Sequence, residues 1–290
     1  MTVKRRAPQS VQRRKVVSQL RTNRVLVPSI IKGFARSLLP GRSQLRFDLL
    51  AQLWLDMLRY LAPNVRPIRL SQIGLDSVVV TGGVSRYDIL VLCALSQALG
   101  CRTIFEIGTL LGGTTRLLAQ NNQASHVYTL DLPSLEAVGR TRYDVTDPEY
   151  FESWNRGMLF HGTPEETRIT PLFGDSASFD YSPYAGKMDL VFIDGSHSSS
   201  YVKSDTEAAL TMLSPMGTIA WDDYTHYPSI YRYVNRLAPQ LDRPVFQILG
   251  TRLAVYSRVD IVRLPGNLYT WRPAGAPVEQ SDPAAPSGVR

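Results

Sequence analysis

The apolar run Ile104-Phe105-Glu106-Ile107 breaks into Gly108-Thr109-Leu110-Leu111-Gly112-Gly113-Thr114-Thr115. A buried strand that ends in glycines and passes into a helix lets a ligand approach the backbone. The helix start near Thr114 adds unpaired N–H groups. Asp131 closes the next apolar run, 23 residues after Gly108. In a doubly wound sheet such a carboxylate stands beside the first loop and can receive both hydroxyls of a ribose. A plain tight turn with a capping aspartate is the alternative.

A second set of acids follows. Asp194 ends Val191-Phe192-Ile193, and Asp222-Asp223 end Thr218–Trp221. If those runs are neighbouring parallel strands, the three carboxylates emerge at one sheet edge. They repel one another unless a hard cation lies between them, and oxygen donors suit Mg²⁺. Such a cation binds a hydroxyl and lowers its pKa. His197, three residues after Asp194, is placed to take the proton near neutral pH. The competing reading has Asp222 and Asp223 capping a helix and His197 capping a loop.

The glycine spacing is Gly-x-x-x-Gly, not the Gly-x-Gly-x-x-Gly that brings a helix against a pyrophosphate. Glu106, two residues before the first glycine, repels a pyrophosphate and suits a cationic amino-acid portion. Together these point to S-adenosylmethionine. On these residues the chain resembles class I S-adenosylmethionine-dependent methyltransferases, in the small O-methyltransferase branch that includes catechol and macrolide-sugar O-methyltransferases. The resemblance runs from about Val78 to Arg258. It implies that Glu106, Gly108, Thr109, Gly112 and Thr114 meet the cofactor and Asp131 its ribose. Gly174-Asp175-Ser176 is similar to the loop that meets the adenine. Asp194 borders both cofactor and metal, with Asp222 and Asp223 as further metal ligands and His197 as the base. The macrolide-sugar enzymes carry a histidine there, which favours a sugar or other small-molecule hydroxyl over a catechol. The implied mechanism is in-line attack of an acceptor oxygen on the methyl group. Two departures stand out: Pro215-Met216-Gly217 before the last strand of the motif, and Ser198-Ser199-Ser200 after the histidine, where bulkier residues are common.

The elements that must position these residues are legible from periodicity. Short apolar runs at 103–107, 127–130, 169–173, 188–193 and 218–221 alternate with helical patterns at 114–121, 202–213 and 230–237. Strands alternating with helices imply a parallel sheet covered on both faces. The runs 245–249 and 253–256 read as a closing antiparallel hairpin. The expected fold is therefore α/β: a Rossmann-like, doubly wound, mostly parallel seven-stranded sheet with a C-terminal antiparallel hairpin and N-terminal helices at 45–61 and 87–99. Its expected divisions are a basic arm (1–43), a helical segment (44–100), the cofactor-binding domain (101–262) with an aromatic-rich insert (132–168), and a Pro/Ala/Gly-rich tail (263–290). The insert reads equally as a lid or a packed subdomain.

Composition narrows the classes. The 290 residues carry a net charge of +7. Twelve basic residues and no acidic one fall in 1–46, leaving 20 basic and 25 acidic residues, a net of −5, in the rest. The basic balance belongs to the arm, so specific nucleic-acid binding by the domain is not expected. A weak contact of the arm with a membrane surface or polyanion is. No apolar run reaches the length that spans a bilayer. Two cysteines exclude a disulfide framework and suit a cytoplasmic protein, peripheral to the membrane if the arm binds there. The 45–61 helix would pack on the domain or on a second subunit, as in a homodimer. Two other classes stay open: a nicotinamide-dependent oxidoreductase, and a non-catalytic binding protein that uses its arm.

Overall fold

A computed structural model describes residues 50–53, 84–146, 156–248 and 251–261. The arm, most of the 45–61 segment and the tail lie outside the described residues. Seven strands come from the expected domain: β2 (Thr103–Ile107), β3 (His126–Asp131), β4 (Ile169–Phe173), β5 (Met188–Ile193), β6 (Leu213–Trp221), β7 (Val245–Ile248) and β8 (Ala254–Ser257). An eighth, β1 (Leu50–Leu53), joins at one edge. The order is β1-β7-β8-β6-β5-β2-β3-β4. All neighbours are parallel except β8, which runs antiparallel to both β6 and β7.

β1 corrects one expectation. Residues 50–53 fall inside the run read as a helix, yet they pair in register with Val245–Ile248. Helix propensity is a weak preference, whereas the open edge of β7 offers a row of unpaired N–H and C=O groups.

Alternation along the strands sorts the core into two layers. Ile104, Val127, Leu190, Phe192 and Ala220 pack with helices α1 (Arg86–Ala98) and α2 (Gly113–Asn121). Phe105, Leu130, Val191, Ile193 and Ile219 pack with α3 (Ser199–Met212) and α4 (Pro228–Leu237). Residues of opposite parity along a strand face opposite sides, so apolar runs without polar alternation fit a sheet buried on both faces. α3 starts three residues earlier than periodicity predicts, because the Ser198 side chain accepts the Tyr201 N–H and caps it.

This order places the site. From β2 the chain proceeds to β3 on one side, while β5 pairs on the other. The crevice outside the carboxyl ends of β2 and β5 is the topological switch point, where open α/β sheets bind ligands. The loops after β2, β3, β4, β5 and β6 all open there; they carry most of the site residues the sequence singled out, with Asp131 at the end of β3, Thr114 in the first turn of α2 and Glu106 inside β2.

Candidate active site

The glycine loop is dictated by a close backbone approach. Gly108 has φ +105, and a Cβ there would lie 2.1 Å from the Asp194 carbonyl oxygen. The Gly108 N–H donates to Leu130 O (2.9 Å) and the Asp194 N–H to Ile107 O (2.8 Å), stitching the loop between β3 and β5. Gly112, at φ +79, is the N-cap of α2, and Thr114 lies half-buried in that helix's first turn.

Asp131 stands across the loop, as its spacing predicts. Its Oδ2 accepts the Leu110 N–H (2.7 Å) and its Oδ1 the Leu132 N–H (2.7 Å). Arg156 Nε lies 3.5 Å from Oδ2. Burial raises the Asp131 pKa, and Arg156 opposes that shift. Each carboxylate oxygen keeps lone-pair capacity beyond its one backbone donor.

Glu106 is placed below the loop rather than at its surface. It is 1% exposed. Its Oε2 accepts the Thr115 hydroxyl and, at 2.6 Å, the Thr129 hydroxyl, while Thr109 Oγ1 is 2.6 Å from Thr129 Oγ1. Thr109 is thus turned into this network. Burial pushes the Glu106 carboxyl up to about 7, against the threonine hydrogen bonds. A carboxyl raised from 4.5 in the folded state holds its proton more tightly there than in the unfolded chain. Its contribution to stability is full below about pH 4.5 and is lost as pH rises toward 7. The loss is about 3 kcal/mol at most. Glu106→Gln should therefore gain on the wild type by up to that amount between pH 4.5 and 8, measured by urea unfolding. A difference that stays constant over this range would show that Glu106 titrates normally.

The loop after β4 is already engaged. Asp175 Oδ2 accepts the Arg142 N–H (2.7 Å), and Oδ1 accepts the Tyr201 hydroxyl (2.7 Å) and the Ala177 N–H (3.0 Å). The Ser176 carbonyl accepts the Tyr181 hydroxyl at 3.0 Å. The described parts of the insert frame the crevice from two sides. The His197 N–H donates to Thr146 Oγ1 (3.1 Å), and at the other end the Gly157 and Leu159 N–H groups donate to Leu110 O and Leu111 O (both 2.9 Å).

At the tips of β5 and β6, Asp194, His197 and Asp223 each offer a ligand atom within 4.8 Å of the others. His197 Nε2 is 3.4 Å from Asp223 Oδ2, and its ring stacks on Tyr227 with centroids 3.8 Å apart. Asp222, expected in the same set, falls outside this group and divides its carboxylate. Oδ2 pairs with Arg252 Nη2 at 3.1 Å, while Oδ1 is buried without a hydrogen-bond partner. Asp194, Asp222 and His197 line one small cleft with Gly195, Trp221 and Ile230. Burial, then mutual repulsion among these acids, holds Asp194 and Asp222 well above the usual carboxylate range. Hard oxygen donors, an imidazole and an orphaned buried carboxylate oxygen fit a divalent cation.

Arg252, Asp88 and Arg156 belong to this site and had no sequence signal of their own. Arg252 reads locally as a hairpin turn, and its partner Asp88 is 164 residues away.

Residues 105–224 match the family model described as a methyltransferase domain. Over this segment the chain is similar to a methyltransferase domain. The segment spans β2 to the residue after Asp223 and so contains the glycine loop, Asp131, Asp175, Asp194, His197 and both β6 aspartates. Of the three classes open from sequence, the methyl-transferring enzyme is the one matched. Among solved structures, the chain is similar to the O-methyltransferase TomG from Streptomyces achromogenes, involved in tomaymycin synthesis and solved in complex with SAM. Identity is 16%, with 69% of this chain and 87% of that chain covered and a TM-score of 0.46. It is also similar to an O-methyltransferase from Bacillus cereus in complex with SAH, at 19% identity, with 69% of this chain and 89% of that chain covered and a TM-score of 0.46. No curated protein sequence matches the chain. Among the described residues, no helix of the methyltransferase domain or its flanks is long and apolar enough to cross a membrane.

Proposed function

We propose that the chain transfers the methyl group of S-adenosylmethionine to a hydroxyl of a small-molecule or sugar acceptor, assisted by a divalent cation such as Mg²⁺. The observation that carries this reading is the meeting of Asp194, His197 and Asp223 at one edge of a methyltransferase domain, beside the glycine loop and Asp131. The donor supplies an electrophilic methyl group on a sulfonium. Asp131, fixed by the Leu110 and Leu132 N–H groups, receives its ribose hydroxyls. Asp175 and Ser176 border the adenine side. Asp194 and Asp223, with Asp222 Oδ1 behind them, would hold the cation, which lowers the pKa of a bound hydroxyl. His197, its ring fixed by Tyr227, accepts the hydroxyl proton. With the acids engaged by the cation, an imidazole is the side chain suited to take a proton near neutral pH. Two free, buried cysteines suit a reducing cytoplasm.

Titration calorimetry of the full chain with S-adenosylhomocysteine tests donor binding. Transfer of labelled methyl into fractionated cell extract, followed by mass analysis of the product, tests the acceptor class. Asp131→Ala should weaken donor binding by about 1–3 kcal/mol, the scale of charge-assisted hydrogen bonds to two hydroxyls. An unchanged dissociation constant would place the ribose elsewhere.

A further inference from the structure

We propose that Arg252, anchored by Asp88, is a positioning residue that sorts the oxygens of Asp222 and Asp223, turning one from each toward the cleft to meet a cation. The inference rests on the metal reading above.

Asp222 and Asp223 are consecutive, and consecutive residues of an extended strand point to opposite faces. Here both carboxylates meet one guanidinium. Arg252 Nη2 takes Asp222 Oδ2 at 3.1 Å and Nη1 takes Asp223 Oδ1 at 2.6 Å. The backbone makes this feasible because Asp223 is held at φ 55, a left-handed conformation unusual for a residue other than glycine. That conformation is fixed from several sides: Asp223 O accepts the His226 and Tyr227 N–H groups, and Arg252 O accepts the Tyr224 N–H. With one oxygen of each carboxylate committed to Arg252, Asp223 Oδ2 is left facing His197 and Asp222 Oδ1 is left buried and unpartnered. Asp223 Oδ2 thus lies in the group of possible ligand residues with Asp194 and His197, and Asp222 Oδ1, in the cleft wall, is the oxygen a cation there would draw in behind it.

Arg252 is itself aimed. Asp88 Oδ1 accepts its backbone N–H (2.8 Å) and Oδ2 accepts Nε–H (2.9 Å). Asp88 is fully buried in the first turn of α1, where it exchanges hydrogen bonds with the N-cap Ser85. A planar five-donor fork can satisfy three carboxylates in fixed directions, which a lysine ammonium cannot. The geometry therefore runs from the α1 cap through Asp88 and the hairpin to the acidic tip, and both Asp88 and Arg252 lie outside residues 105–224, the segment matched as a methyltransferase domain.

The test uses full-length protein, with Mn²⁺ as the probe read by electron paramagnetic resonance and S-adenosylhomocysteine binding read by calorimetry. Arg252→Lys keeps the charge, so any change in Mn²⁺ affinity reports geometry and not altered repulsion. Arg252→Lys and Asp88→Asn should each weaken Mn²⁺ binding about tenfold and leave S-adenosylhomocysteine affinity within about twofold. The double variant should be no weaker than either single one, because both break the same chain of contacts. Wild-type Mn²⁺ affinity in Arg252→Lys, or single effects that multiply in the double variant, would overturn the proposal. If Arg252→Lys does not fold, Asp88→Asn alone decides by the same criterion. Failure of the metal reading is recognised separately, in the wild type: no Mn²⁺ binding there sinks both.

Discussion

Exhaustive chelation should stop methyl transfer by the full-length protein while leaving S-adenosylhomocysteine binding in place. The cleft at the tips of β5 and β6 gathers carboxylates that burial and mutual repulsion hold above their ordinary range. Arg252 offsets part of that repulsion at Asp222 and Asp223, and a cation would offset more of it. In the proposed reading the donor instead lies against the glycine loop and Asp131, on the β2–β3 side. Asp194→Asn should mimic chelation, lowering kcat by about 10³-fold, the equivalent of several kcal/mol of lost charge stabilisation. Because a cation must displace protons from these acids, Mn²⁺ affinity should rise with pH. Full activity after chelation, checked by metal analysis of the assayed protein, would show that the acids serve another purpose.

Replacing His197 by alanine should lower kcat by about 10²–10⁴-fold, the usual weight of a general base, with little change in donor affinity. Its ring lies against Tyr227 and its Nε2 points at Asp223, so the side chain is aimed at the acidic tip rather than at solvent. Because His197 also stands within ligand distance of Asp194 and Asp223, the same variant separates two roles. As a base, its loss leaves Mn²⁺ binding intact. If Mn²⁺ binding disappears with the imidazole, His197 is a ligand and the proton goes elsewhere. A variant with wild-type kcat and wild-type Mn²⁺ affinity would remove it from the site.

The succession of β2 to β8 along the chain and the covering of the sheet on both faces could be read from apolar runs alternating with helical patterns. Those signals are local, and each is carried by a few adjacent side chains. The same holds for Gly108, Asp131, Asp194 and Asp223. A strand end followed by glycine or aspartate places the residue at the sheet edge whatever the rest of the chain does. The sequence by itself therefore determined which strand-end residues stand at the sheet edge.

What they touch there was decided only by tertiary structure. Glu106 is four residues into β2, and strand parity alone turns it from the loop surface into a pocket formed by Thr115 and Thr129. Asp222 and Asp223 look equivalent in sequence. The left-handed turn at Asp223 and the guanidinium of Arg252 give them different duties. The 50–53 segment has a helical pattern, yet it is a strand because β7 offers an open edge. In each case the deciding partner is distant in sequence, such as Asp88 for Arg252. Its energy comes from a hydrogen bond or ion pair that exists only after the chain has closed, and so it leaves no periodic trace in the sequence.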